Sequence, residues 1–303
     1  MSLGLRSGWK RARFKILQTS LRSPVLWWRH RGLKPSDVFL GTFPRSGTHW
    51  LRFQLTEILS GEPVDFDRVD SMFVGRQGDA IGLLNGGSRL INTHERYRPC
   101  YRKAIYLVRD IRDVAISLHA YQTGQQGKGY YHIPKGVKTF DDYLPLFLQG
   151  RLTHFGPWHD HVNSWLDSPI ARDGNLLVLR FEDLRRNPVA ELTKAVNFLG
   201  QNVDPAVIQR AVANNTVEKM REKEDHSQVL SQFFKQEHRF VRQGSAGGWR
   251  AKLTPSQIEL INRYAGKTLE RMGYPTETEA SNPAKVAVVK SETTWVSPRQ
   301  QTT

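Results

Sequence analysis

A single cysteine, Cys100, among 303 residues excludes an internal disulfide framework and fits a reducing compartment. No apolar run approaches the ~20 residues that cross a bilayer. The start, Met1-Ser2-Leu3-Gly4-Leu5, lacks an apolar signal-peptide core and the glycine at position 2 that myristoylation needs. A cytoplasmic protein is therefore expected. No G-x-x-x-x-G-K-[ST] stretch is present, so the usual triphosphate loop is absent. His159-Asp160-His161 is the nearest thing to a metal pair, but nothing beside it completes a ligand set, and no metal is expected.

Acid is missing from the first 36 residues, which nevertheless carry nine Lys/Arg of a formal net charge of +15, leaving +6 for the rest. Trp9, Phe14, Leu21, Trp27 and Trp28 are interleaved with those cations. Such a pattern suits peripheral contact with an anionic inner membrane surface through residues 1–34, more than it suits nucleic acid. The alternative is an extension packed on the domain with its charges solvated. Hydrophobic residues at 39% and aromatics at 10% are ordinary for a globular protein with a substantial core.

Phe43-Pro44-Arg45-Ser46-Gly47-Thr48-His49-Trp50 is the most informative stretch. It follows the apolar run Val38-Phe39-Leu40 and precedes a segment with Leu51, Leu55, Ile58 and Leu59 at helical spacing. The order predicts a buried strand, a tight polar loop and a helix. Backbone N–H groups of Ser46, Gly47 and Thr48 would converge at the helix N-terminus, where unpaired donors and the helix dipole favour an anion. Arg45 adds a planar cationic fork suited to phosphate or sulfate oxygens. A plain helix cap is the alternative reading.

Further strands are expected at Arg89–His94, Ala104–Arg109 and Leu176–Phe181. Helices are expected over 111–121, 140–149, 157–167, 188–199, after Pro205, and over 255–271, with a polar helix or loop near 217–240. Residues 60–88 and 122–138 read as loops, and 276–303 as a disordered tail. Alternating strands and helices give an α/β fold, one domain with a parallel sheet flanked by helices, spanning 37–275 between the extension 1–36 and the tail. Ligands bind beyond the carboxyl ends of such strands, so Arg45, His94, Arg109 and Glu182 are placed on one rim.

Several motifs share one resemblance. Pro44-Arg45-Ser46-Gly47-Thr48-x-Trp50 resembles the 5′-phosphosulfate loop of sulfotransferases that use PAPS (3′-phosphoadenosine 5′-phosphosulfate). Arg109, Asp113 and Ser117 match the family's 3′-phosphate pattern R-x-x-x-D-x-x-x-S. Leu179-Arg180-Phe181-Glu182-Asp183-Leu184 looks like its L-x-Y-E-D-L segment. Phe198-Leu199-Gly200 looks like its F-L-G helix end, and Arg242-Gln243-Gly244 followed by Gly247-Gly248-Trp249 looks like R-K-G-x-x-G-D-W. In order from about residue 37 to 273, these resemble a cytosolic-type sulfotransferase with a P-loop-like architecture.

The resemblance implies PAPS as co-substrate, held by Arg45, Ser46, Gly47, Thr48, His49 and Trp50 at its 5′ end. Arg109, Ser117 and Arg242 would take the 3′-phosphate, Gln243 and Gly244 belong to the segment that would close over it and the adenine, Trp50 would lie near the adenine, and Phe181 falls among the cofactor contacts. His94 stands where the family's K-T-H motif puts its catalytic base, and Arg45, Asn92 and Ser117 complete the implied catalytic set. The chain departs from the pattern with Arg45 and Asn92 for lysines, Phe181 for tyrosine, Gln243 for lysine, and Pro255 inside the short dimer motif, which leaves the oligomeric state open. The acceptor would be a small molecule, a glycan or a lipid offering a hydroxyl or amine, with Tyr121, Tyr130, Tyr131, His132 and Phe140 as candidate pocket walls. A P-loop-like kinase and a catalytically impaired binding relative are the competing readings.

Overall fold

The computed structural model describes residues 19, 24, 30, 32–68, 84, 88–124, 133–134, 136–228, 241, 244 and 246–276. Most of the basic segment 1–34, the loop residues Tyr130, Tyr131 and His132, Arg242 and Gln243, and the segment after 276 lie outside them, and with them the expectations placed there.

Four strands form one parallel sheet in the order β2-β1-β3-β4: β1 Val38–Thr42, β2 Leu90–Thr93, β3 Ala104–Val108 and β4 Leu176–Arg180. β1 and β3 are buried along their whole length, as continuous apolar runs require when both faces of a sheet are covered. Helix α1 (Thr48–Ser60) follows β1, and α2 (Ile111–Gly124) follows β3. Beyond them come α3 (Phe140–Leu148), α4 (Trp158–Leu166), the short α5 (Pro169–Arg172), α6 (Phe181–Arg186), α7 (Pro188–Phe198), α8 (Pro205–Asn214), α9 (Val217–Asp225) and α10 (Pro255–Arg271). One face of the sheet packs on residues of α2, α3, α4 and α10, and the other on α1, α7 and α8.

Local chemistry sets many helix starts. α5, α7, α8 and α10 each begin with proline at their first position, behind Ser168, Asn187, Asp204 and Thr254 respectively, whose side chains accept from main-chain N–H groups of the first turn. Pro255 is therefore a helix opener. α9 realises the first third of the polar stretch 217–240, capped by Thr216.

Close packing positions α4 against the sheet. Gly41 of β1 sits under the Trp165 indole, where a Cβ would lie 2.7 Å from the ring. Trp165 in turn stacks on Tyr101 and Tyr106 at 5.6 and 5.3 Å. No described helix is long and apolar enough to cross a membrane. Cys100 is an exposed loop residue.

Candidate active site

The carboxyl ends of β1, β2 and β3 open into one cavity, lined by Arg45, Gly47, Thr48, His49, Trp50, His94, Arg109, Ser117, Tyr121, Phe181 and Gly244 among others. The 43–50 loop thus meets the second strand-end motif and the described residues of the 241–252 segment, the arrangement the family resemblance implies.

The loop's backbone is specialised. Arg45 is the one described non-glycine residue with positive φ, at 69°, a left-handed conformation that costs energy unless held. Its carbonyl accepts from the Arg109 guanidinium (Nη1) at 3.1 Å, and its own Nε donates to Ser117 Oγ at 3.1 Å. Its guanidinium lies 4.8 Å over the Tyr121 ring. Gly47, the N-cap of α1, has φ 96°, and a Cβ there would fall 2.6 Å from Phe181. Phe181 is the floor under this loop: Arg109 stacks on it at 4.4 Å and Trp50 meets it edge-on at 5.8 Å. Trp50 Nε1 donates to the Asn215 carbonyl at 2.7 Å, which fixes the indole at the cavity wall.

His94 follows β2, beside the end of β1. Its Nδ1 is 2.9 Å from the Thr42 carbonyl and 2.9 Å from Thr42 Oγ1, which pairs with Thr48 Oγ1 at 2.8 Å. A carbonyl only accepts, so Nδ1 carries the proton and Nε2 keeps its lone pair. Burial chiefly holds the His94 pKa below the ordinary histidine value, with the Arg52 cation acting in the same direction against the Thr42 bond and Glu95. His49 is held well below it by burial, then by Arg52, Arg45 and His94. Both rings are neutral at pH 7.

Asp113 organises the opposite rim. Its carboxylate accepts from the main-chain N–H groups of Gly247 (2.7 Å) and Trp249 (2.9 Å), tying the 3₁₀ turn Gly248–Ala251 to the first turn of α2. Burial raises its pKa, while Arg109 opposes that shift. The neighbouring Arg112 is fully buried, bonded to Asp110 and stacked 3.9 Å over Trp249.

Not every expected residue reaches the cavity. Glu182 stays at the strand-end rim but outside the cavity wall: it accepts from Asp110 N at 3.1 Å and from the Tyr274 hydroxyl at 2.7 Å, tying two strand ends to the chain beyond α10. Burial raises its pKa. Asn92 sits on β2 opposite Leu40, outside the described cavity wall, with its Oδ1 buried and unpartnered. The Ser46 side chain is likewise buried outside the wall, with an unpartnered Oγ. Phe140 opens α3 and packs edge-on against His119 at 5.2 Å. Lys252 and Arg185 line the cavity without having been anticipated, and only their positive charge could have flagged them. Among the described residues no group of three potential metal ligands occurs.

A family model described as the sulfotransferase domain matches residues 88–273. The chain belongs to the sulfotransferase family. A mouse protein, sulfotransferase 1 family member D1, is 26% identical over 258 residues, covering 78% of this sulfotransferase and 84% of the relative. Sulfotransferase 2A1 of Macaca fascicularis is 28% identical over 246 residues, covering 76% and 83%. The fold is shared with retinol dehydratase in a complex with androsterone and the inactive cofactor PAP, at TM-score 0.62 and 20% identity over 80% of this chain and 82% of that one. It is shared too with a mouse sulfotransferase complexed with PAP, at TM-score 0.59 and 24% identity over 79% and 90%. Both motifs that meet at Arg45 and Ser117 therefore sit in a sulfotransferase framework, although the family match itself begins after the 43–50 loop.

Proposed function

We propose that this sulfotransferase moves the sulfuryl group of PAPS to a hydroxyl of a small-molecule acceptor, with His94 as general base and Arg45 stabilising the phosphosulfate. The observation that carries the reading is the Nδ1–H bond from His94 to the Thr42 carbonyl, made beside the 43–50 loop and in the same cavity as Arg109. That bond leaves a neutral ring whose Nε2 can accept a hydroxyl proton.

The residues present fit a nucleotide charged at both ends. Arg45, Arg109, Arg185 and Lys252 bring positive charge to one cavity, and Gly47 and Thr48 at the N-terminus of α1 line it, where main-chain donors and the helix dipole favour an anion. Residues 45–50 would hold the 5′ end, while Arg109, Ser117 and Gly244, with Arg242 and Gln243, would hold the 3′-phosphate. Trp50 would flank the adenine. PAPS supplies a sulfuryl group attached to a good phosphate leaving group. Arg45 is the cation closest in role to the missing lysine, since Asn92 is neutral and outside the cavity wall. It donates its fork to negative charge developing on the bridging oxygen. The two retinol dehydratase complexes, with androsterone and with retinol, support a small hydroxylated acceptor as the substrate class.

Titration calorimetry with PAP and with 5′-AMP tests the nucleotide half of the proposal. PAP is expected to bind at least ~100-fold more tightly, because the 3′-phosphate meets Arg109 and Ser117 through charge-assisted bonds worth about 1.5–3 kcal/mol each. Equal affinities for the two nucleotides would remove the 3′-phosphate site.

A further inference from the structure

His161, which the sequence offered only as half of a weak metal pair, has both ring nitrogens committed elsewhere. The side chain is fully buried. Its Nε2 lies 3.0 Å from the main-chain oxygen of His94. A carbonyl oxygen cannot donate, so Nε2 carries the proton, and Nδ1 accepts from the Tyr106 hydroxyl at 2.9 Å. Burial presses the ring's pKa down to about 3, so this pattern persists at any working pH.

The bond belongs to a wider clamp. Trp165 Nε1, one turn along α4, donates to the Glu95 carbonyl at 3.1 Å, and Ser164 Oγ accepts from Tyr97 N at 3.1 Å. Arg96 Nε donates to the Phe155 carbonyl at 3.1 Å. Phe43, just before the anion loop, packs edge-on against the His161 ring at 5.3 Å. One helix therefore grips residues 94, 95 and 97 by main-chain atoms, while Thr42 grips the His94 side chain.

We propose that His161 is a positioning residue for sulfuryl transfer: its Nε2–H bond holds the His94 main-chain oxygen and so fixes where the His94 imidazole stands relative to the reacting acceptor oxygen. Two anchors are needed because the Thr42 bond alone leaves the ring free to pivot with its backbone. A displacement of about 1 Å at such a group costs on the order of 100-fold in rate. Tyr106 acts one step behind, since its hydroxyl keeps Nδ1 an acceptor and directs the only ring proton at His94. This inference rests on the reading of His94 as the base.

The test compares wild type with His94→Ala, His161→Leu, His161→Gln and Tyr106→Phe. It follows initial rates of ³⁵S transfer from labelled PAPS into a total metabolite and lipid extract of the source cells at saturating PAPS, beside calorimetric affinity for PAP. His161→Leu, close in volume but without a donor, is expected to lose roughly 30-fold in rate with PAP affinity held within about twofold. His161→Gln, whose side-chain amide can reach the same carbonyl, should recover most of that loss. Tyr106→Phe should fall about threefold, again with PAP affinity unchanged. A folded His161→Leu at the wild-type rate would overturn the inference, as would equal losses in the Leu and Gln variants. If both His161 variants fail to fold, Tyr106→Phe decides, and a wild-type rate there overturns it. Full activity in His94→Ala would instead sink the base assignment beneath it.

Discussion

Replacing His94 with alanine is expected to cost about 100- to 10,000-fold in transfer rate while PAP affinity stays close to wild type. The anion loop is held by Arg109, Ser117 and Phe181, none of which needs the imidazole. What the ring supplies is a neutral Nε2 at a fixed place, and water does not replace it at comparable effective concentration. The same residue sets a pH dependence. Because the folded pKa of His94 is lowered, the neutral base persists below the usual histidine range, and activity is lost only as pH falls through that depressed value. Stability follows the same sign: as pH falls below the unfolded pKa, the unfolded chain takes up a proton while the buried native ring stays neutral, so the folded state loses stability until pH passes the depressed folded value. A rate profile in kcat/KM with its acid limb below about pH 6.5 is expected. An acid limb above that point, absent from the alanine variant, would mean that the ring is not shielded as described.

Gly47→Ala should have the second largest effect, on binding rather than chemistry. Alanine at φ 96° costs about 1–2 kcal/mol for conformation alone. Its Cβ would also stand 2.6 Å from Phe181, the ring that carries Arg109 and Trp50. Relief requires the loop to lift or Phe181 to withdraw, and either moves the groups that face the nucleotide. PAP affinity is expected to fall at least ~30-fold, with a melting midpoint lower by several degrees. Gly61→Ala is the control. Gly61 caps the other end of α1 at φ 75°, with open space around its Cβ position, so it should lose about 1–2 kcal/mol of stability and no PAP affinity. Calorimetry and thermal melts on the pair check this, and parallel losses of affinity in both variants would contradict it.

The parts of this site that could be read in advance are local in sequence. The strand, anion loop and helix at 38–60, and the strand and helix at 104–124, each lie within one continuous stretch whose apolar periodicity and turn residues specify it. Their convergence at the sheet's carboxyl edge follows from parallel topology. Contacts between distant positions carried no such signal. Asp113 matches a motif position, but its task of holding Gly247 and Trp249 spans well over a hundred residues. Thr42 and His161, the two anchors of His94, sit in a strand and a helix whose sequences suggest only packing. Asn92 and Glu182 occupy motif positions yet stay out of the cavity wall: Asn92 lies within β2 before the strand end that carries His94, and Glu182 is bonded to the Asp110 main chain and the Tyr274 hydroxyl. A motif fixes a residue's place along the chain, and the side it faces depends on what packs against it.

The proposed reaction is sulfuryl transfer from PAPS by the residues lining this cavity, with no step that calls on a metal. The most direct measurement is mass spectrometry of products after incubating the protein with PAPS and a source-cell extract in the presence of EDTA. A sulfated acceptor that accumulates in step with PAP and disappears in the His94→Ala variant is the expected result. PAP binding without any sulfated product from aqueous or lipid fractions, or product that forms only when magnesium replaces the EDTA, would contradict this mechanism.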